Sequence, residues 1–541
     1  MQGTMMDAPL TLPSLLERAS SLFPRREVVS RRSDRSIHRY TYADLHRRAL
    51  ALAEALQRAG LAPGDRVATL MWNDFAHLEA YFGIPLAGGV LHTLNLRLAP
   101  AQLGWIADDA SDRFLIVDET LLPLLEKWRG QSRLERVFVV RIQHGAGAPP
   151  PPAGYECYEA FIAEATGAFQ PPAPAETDAC GLCYTSGTEG NPKGVLYTHR
   201  SSVLHSLALA LPDILDISMR DTVLPVVPMF HVNAWGIPYS CVMTGAKLVL
   251  PGRHLDAASL LELFEAERVT MAAGVPSIWL GLLQALDSEP TRWKLPRMRM
   301  IVGGSAAPES LVRGFDRHNQ EVIHAWGMTE TSPVGALSRI KPGMDELPED
   351  ERYRYRSKQG LPPPLVNVRI MDENGPVPHD GKAFGELQAR GPWVARAYFG
   401  ASQDPERFTP DGWLRTGDIA TIDLEGYVHI VDRTKDLIKS GGEWVSSCEV
   451  ENAIMSHPAV LEACVVAVPN EEWGERPLAL IVFRDGKQAS ADELKAHIAP
   501  RFPKWWLPDG FVAVQEIPKT SVGKFSKSTL REQFAGWKPT S

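Results

Sequence analysis

Residues 184–194 collect the groups that hold phosphate in proteins. The stretch reads YTSGTEGNPKG and follows an apolar run that ends at Cys183. Its three glycines let backbone N–H groups turn toward an anion, its hydroxyls add donors, and Lys193 adds a positive charge. The GK followed by Ser or Thr of the P-loop is absent, which argues against a kinase or GTPase. The stretch predicts a loop that grips a polyphosphate, with a flexible hairpin turn as the alternative.

Four further motifs follow the loop: WGMTE at 326–330, GWLRTGD at 412–418, DRTKDLIKSGGE at 432–443 and PKTSVGK at 518–524. With the loop they resemble, in family order, the motifs of the adenylate-forming superfamily. That superfamily includes acyl-CoA synthetases, aryl-CoA ligases, luciferases and the adenylation domains of peptide synthetases. PMFHVNAW at 228–235 and KWWLPD at 504–509 are most similar to the medium- and long-chain fatty acyl-CoA synthetases of bacteria. Five ordered motifs that span most of the chain make the resemblance specific.

The resemblance implies a reaction in two steps. First, a carboxylate attacks the α-phosphorus of ATP and expels pyrophosphate, which requires mainly alignment and charge neutralisation from the protein. Lys524 is expected to span the carboxylate and the α-phosphate, while Thr185 and Glu330 hold Mg²⁺ through oxygen atoms. Asp418 is expected to accept hydrogen bonds from the ribose hydroxyls, and Arg433 to contact ribose or phosphate. The other nucleotide contacts that the resemblance implies are Ser186, Gly187, Thr188, Lys193, Gly303, Gly304, Ser305, Ala306, His324, Ala325, Trp326, Gly327, Met328, Thr329 and Lys435.

Several of these residues also have plainer interpretations. Glu330 could be a carboxylate near a helix N-terminus, and Asp418 a surface turn residue. The lysines at 519, 524 and 527 could form a solvated basic face. Glu189 stands where the family usually has Thr, and a carboxylate there would repel a triphosphate unless it turned outward or lay near the metal. The backbone donors of the loop do not depend on that side chain, so the loop is still expected to bind phosphate.

The second step must bring the thiol of coenzyme A to the acyl-adenylate. The resemblance implies that a small domain rotates about Lys435 and turns a new surface toward the site. That surface would consist of Lys439, Ser440, Gly441, Gly442, Glu443 and Trp444, although a plain hairpin explains the two glycines equally well. The resemblance also places three residues at the entrance between the acyl tunnel and the coenzyme A channel: His231, Val232 and Trp235. His231 is expected to act in catalysis with Lys524, Thr185 and Glu330; Trp235 is either a gate or core packing.

The elements that must position these residues follow an α/β rhythm. A capping box at 41–44 opens an apolar-striped helix that ends at Gly60, and the apolar stripe of 75–86 predicts another helix. Runs at 66–71, 114–117 and 137–140 predict buried parallel strands, and 145–154 a surface loop. Beyond Gly381, alternating patterns predict shorter antiparallel strands. Past Lys435, a helix at 448–455, a strand at 463–468 and a helix at 491–499 predict a small separate domain.

The predicted fold is therefore α/β with two domains. Residues 1–432 form a large, multi-layered AMP-binding N-terminal domain, for which the resemblance implies parallel α/β sheets and a distorted β-barrel. Residues 433–541 form a small, mobile α+β C-terminal domain that carries the catalytic lysine. A length of 541 residues also favours more than one domain.

Composition excludes several other classes of protein. The net charge of −9 comes without a basic block, which argues against nucleic acid as a partner. Six cysteines are too few for a disulfide framework and fit a reducing compartment, with Cys180 and Cys183 read as structural thiols. No secretory signal is found, and the charge-poor windows 223–246 and 269–286 contain prolines and polar residues that suit buried strands and loops better than a membrane span. We expect a cytoplasmic protein with small-molecule partners that, by the resemblance, forms a homodimer.

The sequence predicts an ATP-dependent, AMP-forming fatty acid:CoA ligase with a preference for medium- or long-chain acids. One alternative is a ligase for a short or substituted acid, such as methylthiopropionate or an aryl acid. Another is an adenylating enzyme that loads a separate carrier protein or feeds oxygen chemistry. A third is an acyl- or nucleotide-binding protein without catalysis, against which Lys524, Glu330 and Asp418 argue.

Overall fold

The first predicted helix begins at a reciprocal cap. The computed structural model describes residues 1, 3–142, 150–185, 191–401, 404–441, 443–520 and 524–538. In it, the Asp44 amide donates to Thr41 Oγ1 at 3.3 Å. The Thr41 amide in turn donates to Asp44 Oδ2 at 3.1 Å, and the helix runs Tyr42–Arg58. This confirms the predicted capping box and the helix end near Gly60. Residues 145–149 of the predicted loop at 145–154 lie outside the described residues, and residues 150–154 form no helix or strand.

Two largely parallel sheets form the framework of residues 27–337. One has eight strands in the spatial order Val334–Leu337, Glu321–Gly327, Arg299–Val302, Met271–Gly274, Thr222–Pro225, Lys247–Leu250, Glu27–Arg31 and Ile37–Thr41. The other has seven, in the order Glu156–Cys157, Arg136–Val140, Phe114–Asp118, Arg66–Leu70, Val90–Thr93, Ala179–Tyr184 and Gly194–Thr198. The predicted buried strands are confirmed, and they are apolar because helices cover both faces of such sheets.

Two further sheets, both mainly antiparallel, follow along the chain. The first has the order Gly375–Pro376, Asn367–Asp372, Gly385–Arg390, Leu414–Ile422 and Val428–Arg433. The last has the order Glu443–Val445, Ile438–Ser440, Gly474–Phe483 and Val460–Asn470, with Gly510–Ala513 parallel to Gly474–Phe483. The antiparallel strands predicted beyond Gly381 are present, and the sheet that they join begins earlier, at Asn367.

Helices pack on these sheets. They are Leu12–Leu22, Tyr42–Arg58, Phe75–Leu86, Pro100–Asp109, Leu122–Leu125, Tyr158–Ala163, His199–Leu209, Ile237–Thr244, Ala257–Ala266, Pro276–Ser288, Glu309–Arg317, Glu349–Ser357, Ser447–Met455, Ala491–Ile498 and Lys527–Gln533. The helices predicted at 75–86, 448–455 and 491–499 match within one residue. The predicted α/β class is confirmed.

Cys180 and Cys183 lie on strand Ala179–Tyr184 with their side chains buried. Residues three apart on a strand point to opposite faces of the sheet, so the two sulfurs cannot share a metal ion. Burial raises the pKa of Cys180 to about 12 and that of Cys183 to about 11, which disfavours the thiolate form. Their interpretation as structural thiols therefore fits.

The two charge-poor windows differ in part from the prediction. Each contains a buried strand as expected, but each ends in a helix, Ile237–Thr244 and Pro276–Ser288. Pro238 and Pro276 stand in the first turn of these helices, where a missing backbone N–H is not needed, so proline begins them rather than preventing them. In the part of the chain that the structure describes, no helix is both long and apolar enough to span a membrane.

Candidate active site

The predicted phosphate loop joins two antiparallel strands, Ala179–Tyr184 and Gly194–Thr198. Two hydrogen bonds join the ends of the loop. The Thr185 amide donates to the Lys193 carbonyl at 2.9 Å, and the Lys193 amide donates to Thr185 Oγ1 at 3.0 Å. The predicted contacts Ser186, Gly187 and Thr188, together with Glu189, lie outside the described residues. The base thus fixes where the loop leaves and rejoins the sheet.

The Lys193 side chain is half exposed and already has partners. Its Nζ forms an ion pair with Asp404 Oδ2 at 2.8 Å and lies 4.8 Å from the centre of the Tyr398 ring. The Tyr398 hydroxyl donates to Glu330 Oε1 at 2.7 Å. Lys193 and Glu330 are therefore joined through Tyr398, although they lie far apart in the sequence.

Glu330 lies in the short 3₁₀ turn Thr329–Thr331, immediately after strand Glu321–Gly327. Its side chain is buried, and its Oε1 accepts from a hydroxyl rather than from a backbone amide of the turn. Glu330 does stand in the first turn of this short 3₁₀ helix, as the alternative interpretation holds, but the hydrogen bond that its carboxylate accepts comes from Tyr398. The Tyr197 hydroxyl donates to the Thr329 carbonyl at 2.8 Å, which anchors the turn to the strand that leaves the phosphate loop.

Asp418 is buried in strand Leu414–Ile422, directly opposite Arg433 in the neighbouring strand. Its Oδ2 accepts from Trp326 Nε1 at 2.8 Å, and its Oδ1 lies 3.5 Å from Arg433 Nε. The alternative of a surface turn residue is wrong, because this carboxylate is held within a sheet. Asp418, Trp326 and Arg433 come from three different motifs and meet at one place.

Lys524 reaches this place from the C-terminal segment. A methyl group added to Gly304 would lie 3.8 Å from Lys524 Cε. Removal from water, and then the positive charge of Arg433, lower the pKa of Lys524 to about 8, while Asp418 and Glu330 oppose the shift. Lys524 is thus surrounded by residues that were predicted from separate motifs.

The other two lysines of that region do not form a solvated basic face. Lys527 is paired with Glu451 at 2.8 Å, with both side chains largely buried. Lys519 pairs with Glu462 at 2.7 Å. That interpretation is wrong because each lysine has its own carboxylate within the small C-terminal sheet and its helices.

The residues predicted to border the adenine differ in their surroundings. Gly303 is buried, and a methyl group on it would lie 3.0 Å from the Trp235 ring. Gly304 has φ +88°, a conformation that favours glycine. His324 Nδ1 lies 2.8 Å from the Ser357 carbonyl, and its Nε2 accepts from the Ala307 amide at 3.3 Å. The His324 side chain is therefore engaged on both nitrogens within the fold. The remaining predicted contacts Ser305, Ala306, Ala325, Gly327 and Met328 lie along the same two segments.

His231 precedes a left-handed turn that contains Trp235. Val232, Asn233, Ala234 and Trp235 all have φ between 46° and 58°, and Gly236 follows at φ 71°. Trp235 is buried against Gly303, which makes it part of the packed wall in this conformation. Burial, then the charges of Lys524 and Arg97, lower the pKa of His231 to about 3, so its imidazole is neutral at physiological pH.

The predicted coenzyme A surface forms a hairpin of strands Ile438–Ser440 and Glu443–Val445. Lys439 Nζ lies 5.5 Å from the centre of the exposed Trp444 ring, and Ser440 Oγ accepts from Arg476 Nη1 at 2.8 Å. Gly441 has φ 62° and its amide donates to the Trp473 carbonyl. Gly442 lies outside the described residues. The contacts of this hairpin run within the C-terminal sheet, so this conformation does not bring it to Lys524.

Tyr398 and Asp404 were not predicted. They contact Glu330 and Lys193 at sequence separations of 68 and 211 residues, so no local spacing marks them. Among the described residues, no cluster of three or more His, Cys, Asp or Glu side chains is arranged to hold a metal ion.

The chain matches two protein-family models. They are AMP-binding enzyme, over residues 16–399, and AMP-binding enzyme C-terminal domain, over residues 449–524. The chain is 51% identical to a long-chain-fatty-acid–CoA ligase of Thermus thermophilus, covering 99% of this chain and 97% of that protein. It is 43% identical to a 3-methylmercaptopropionyl-CoA ligase of Ruegeria pomeroyi, covering 99% of each. The solved o-succinylbenzoate CoA synthetase of Bacillus subtilis, in complex with an acyl-adenylate intermediate, superposes with a TM-score of 0.79 at 26% identity, covering 97% of this chain and 99% of that one. The chain therefore belongs to the AMP-binding enzyme family and is an acid–thiol ligase of the adenylate-forming superfamily.

Proposed function

We propose that the protein joins a medium- or long-chain fatty acid to coenzyme A with ATP, through an acyl-adenylate. The Thermus thermophilus relative supports a fatty acid as substrate. The observation that carries the proposal is the position of Lys524, a partly buried amine beside Gly304 whose charge is coupled to Asp418 and Glu330. A positive charge at that point suits a reaction in which negative charge gathers on an α-phosphate.

In the first step, a carboxylate oxygen attacks the α-phosphorus and the bond to pyrophosphate breaks. Negative charge develops between the two reacting anions, and the Lys524 ammonium stabilises it where water is largely excluded. The neutral imidazole of His231 adds no second charge there and can donate or accept one hydrogen bond. Thr185 and Lys193 hold the leaving phosphates, and the Asp418 carboxylate orients the ribose.

Mg²⁺ fits the oxygen atoms available at this site. Glu330 Oε1 accepts from Tyr398, while Oε2 has no hydrogen bond among the described residues and can bind a cation. Thr185 supplies a hydroxyl, and phosphate oxygens complete the set of hard ligands that Mg²⁺ prefers. Bound Mg²⁺ would neutralise phosphate charge; Glu330 would orient it.

For the second step, we propose that residues 433–541 rotate about Lys435 as a small domain. Rotation would remove Lys524 and bring the hairpin that carries Lys439 and Trp444 to the acyl-adenylate. The thiol of coenzyme A then attacks the acyl carbon, and AMP leaves. His231, Val232 and Trp235 border the path along which the thiol enters.

Release of pyrophosphate from ATP, measured with and without coenzyme A for acids from C3 to C18, tests this function. We expect release with decanoate or palmitate and a thioester only when coenzyme A is present. No release with any acid would contradict an enzyme that forms adenylates. Release that never yields a thioester would favour an enzyme that loads a carrier protein.

A short, sulfur-containing acid is the second candidate substrate. The 43% identity to the 3-methylmercaptopropionyl-CoA ligase supports it. Including 3-methylthiopropionate in the same panel separates the two candidates, because kcat/KM compares substrates at the transition state. A higher kcat/KM for this acid than for any fatty acid would replace the first proposal.

We also propose a homodimer in the cytoplasm. ATP and coenzyme A as substrates support that compartment, and the six free cysteines fit a reducing environment. Light scattering of the purified protein would test the dimer, and a monomer mass at micromolar concentration would exclude it.

A further inference from the structure

Residues 395–401 and Asp404 connect two parts of the candidate site. The Ala395 amide donates to the Glu330 carbonyl at 2.7 Å, and the Tyr398 hydroxyl donates to the carboxylate of the same glutamate. The Phe399 amide donates to the Gly194 carbonyl at 2.8 Å, directly after the phosphate loop. We name Ala395, Tyr398, Phe399 and Asp404 the clasp, because these residues tie the exit of the phosphate loop to Glu330.

Asp404 completes the clasp by holding the Lys193 ammonium at 2.8 Å. The Lys193 side chain is 46% exposed and that of Asp404 18% exposed, so the lysine can move while the carboxylate is better fixed. The hydrogen bond from Lys193 is the largest of the effects that hold the pKa of Asp404 below its ordinary value, so the carboxylate is charged at neutral pH. In this conformation, the charge that the loop offers to phosphate is therefore already neutralised by a side chain.

The same lysine cannot serve both partners fully. A polyphosphate carries several negative charges and attracts the ammonium more strongly than one carboxylate does. The Asp404 carboxylate takes the lysine back when pyrophosphate departs. The strength with which the site holds pyrophosphate thus depends on Asp404, which itself touches no substrate.

We propose that Asp404 is a positioning residue that competes with pyrophosphate for Lys193 and thereby weakens the binding of pyrophosphate at the site. The proposal rests on the proposed function, in which Lys193 binds the leaving phosphates. A purely structural role of Asp404 predicts a different result. An exposed ion pair contributes little to stability, and in that case its loss would leave the binding of pyrophosphate unchanged.

The dissociation constant of inorganic pyrophosphate, measured by calorimetry on the full-length protein with Mg²⁺, tests the proposal. We expect Asp404→Asn to bind pyrophosphate about three- to fivefold more tightly, the factor that one exposed ion pair can supply. Asp404→Glu, which keeps the charge, should restore the wild-type constant. Asp411→Asn is the matched control, because it removes another carboxylate paired at 2.8 Å, with Arg369 rather than Lys193; its constant should not change.

A double variant shows whether Asp404 acts through the lysine. In a Lys193→Met background, Asp404→Asn should leave the dissociation constant unchanged. An Asp404→Asn variant that binds pyrophosphate no more tightly than the wild type overturns the proposal, as does an equal tightening in both backgrounds. The pyrophosphate-release assay judges the proposed function separately, because the binding measurement needs no turnover.

Discussion

The amine of Lys524 shows how the surroundings of the site set the charge of one residue. Lys524 loses part of its hydration and faces Arg433, which lowers its pKa to about 8. An amine is charged below its pKa and neutral above it, so the ammonium that the first step needs is lost as the pH rises through about 8. In the free enzyme, kcat/KM for adenylate formation should therefore fall above that pH.

Pyrophosphate release measured between about pH 6 and 10 checks this prediction. The Lys524→Arg variant is the control, because a guanidinium stays charged over the whole range. Its activity is expected to be lower but to show no alkaline decline. A wild-type profile that stays flat through about pH 9.5 would contradict a role for the Lys524 charge.

The sequence predicted the site residues that lie in motifs and missed the residues that hold them in place. Glu330 and Asp418 stand in motifs that resemble those of the adenylate-forming superfamily. Tyr398 and Asp404 stand in no such run, and their value comes from contacts with side chains distant in the sequence. Contacts of that kind depend on tertiary structure, which local spacing does not encode.

Among the elements, the left-handed turn at residues 232–236 is one that sequence patterns did not predict. Left-handed backbone costs about 1–2 kcal/mol for each residue other than glycine. Val232 is β-branched and suits it worst. The turn is buried, and Asn233 Oδ1 accepts from the Cys183 thiol, so surrounding packing stabilises it. Strain of this type is retained where surrounding structure enforces it, and here it aims Trp235 at Gly303.

Gly236→Ala tests what this turn contributes. The position has φ 71°, and an added methyl group would lie 2.6 Å from His205 Nδ1, closer than contact allows. We expect the free energy of unfolding to fall by about 1–3 kcal/mol and KM for the fatty acid to rise, because Trp235 would shift. Denaturant unfolding measures the first effect, and the dependence of the rate on fatty acid concentration measures the second.

Gly281→Ala is the matched control for this substitution. Gly281 lies inside helix Pro276–Ser288, and a methyl group there would meet open space. Replacing glycine by alanine within a helix is expected to raise the free energy of unfolding by about 1 kcal/mol. Equal effects of the two substitutions would show that the left-handed turn is not a special constraint.

For the whole molecule, the sequence predicted the alternation of strands and helices but not the order of the strands in the sheets. Strand Glu27–Arg31 pairs with Lys247–Leu250, more than 200 residues later in the chain. Both strands are short and apolar, and many pairings would bury them equally well. The order is decided by how the helices between them pack, which periodicity does not reveal.

The proposed boundary near Lys435 is crossed by contacts that no motif predicted. The Ser446 hydroxyl donates to the Val431 carbonyl at 2.5 Å, and the Ser447 amide donates to Asp432 Oδ2 at 2.7 Å. The Ser447 hydroxyl also donates to Asp432 and accepts from Lys527. If Lys435 is the pivot, Val431 and Asp432 belong to the large domain and the serines to the small one. Rotation must then break these hydrogen bonds.

Ser447→Ala should therefore slow the two half-reactions unequally. It removes a buried hydroxyl that donates to Asp432, which destabilises the observed arrangement by about 1 kcal/mol relative to a rotated one. We expect adenylate formation to slow about fivefold in single-turnover measurements. Thioester formation from supplied acyl-adenylate should not slow, because that step uses the rotated domain.

Ser456→Ala is the control, since Ser456 bonds to Ala453 and His497 within the small C-terminal part and crosses no boundary. Equal slowing of both half-reactions by Ser447→Ala would mean that Asp432 moves together with the small domain, and that the pivot lies before residue 432 rather than at Lys435.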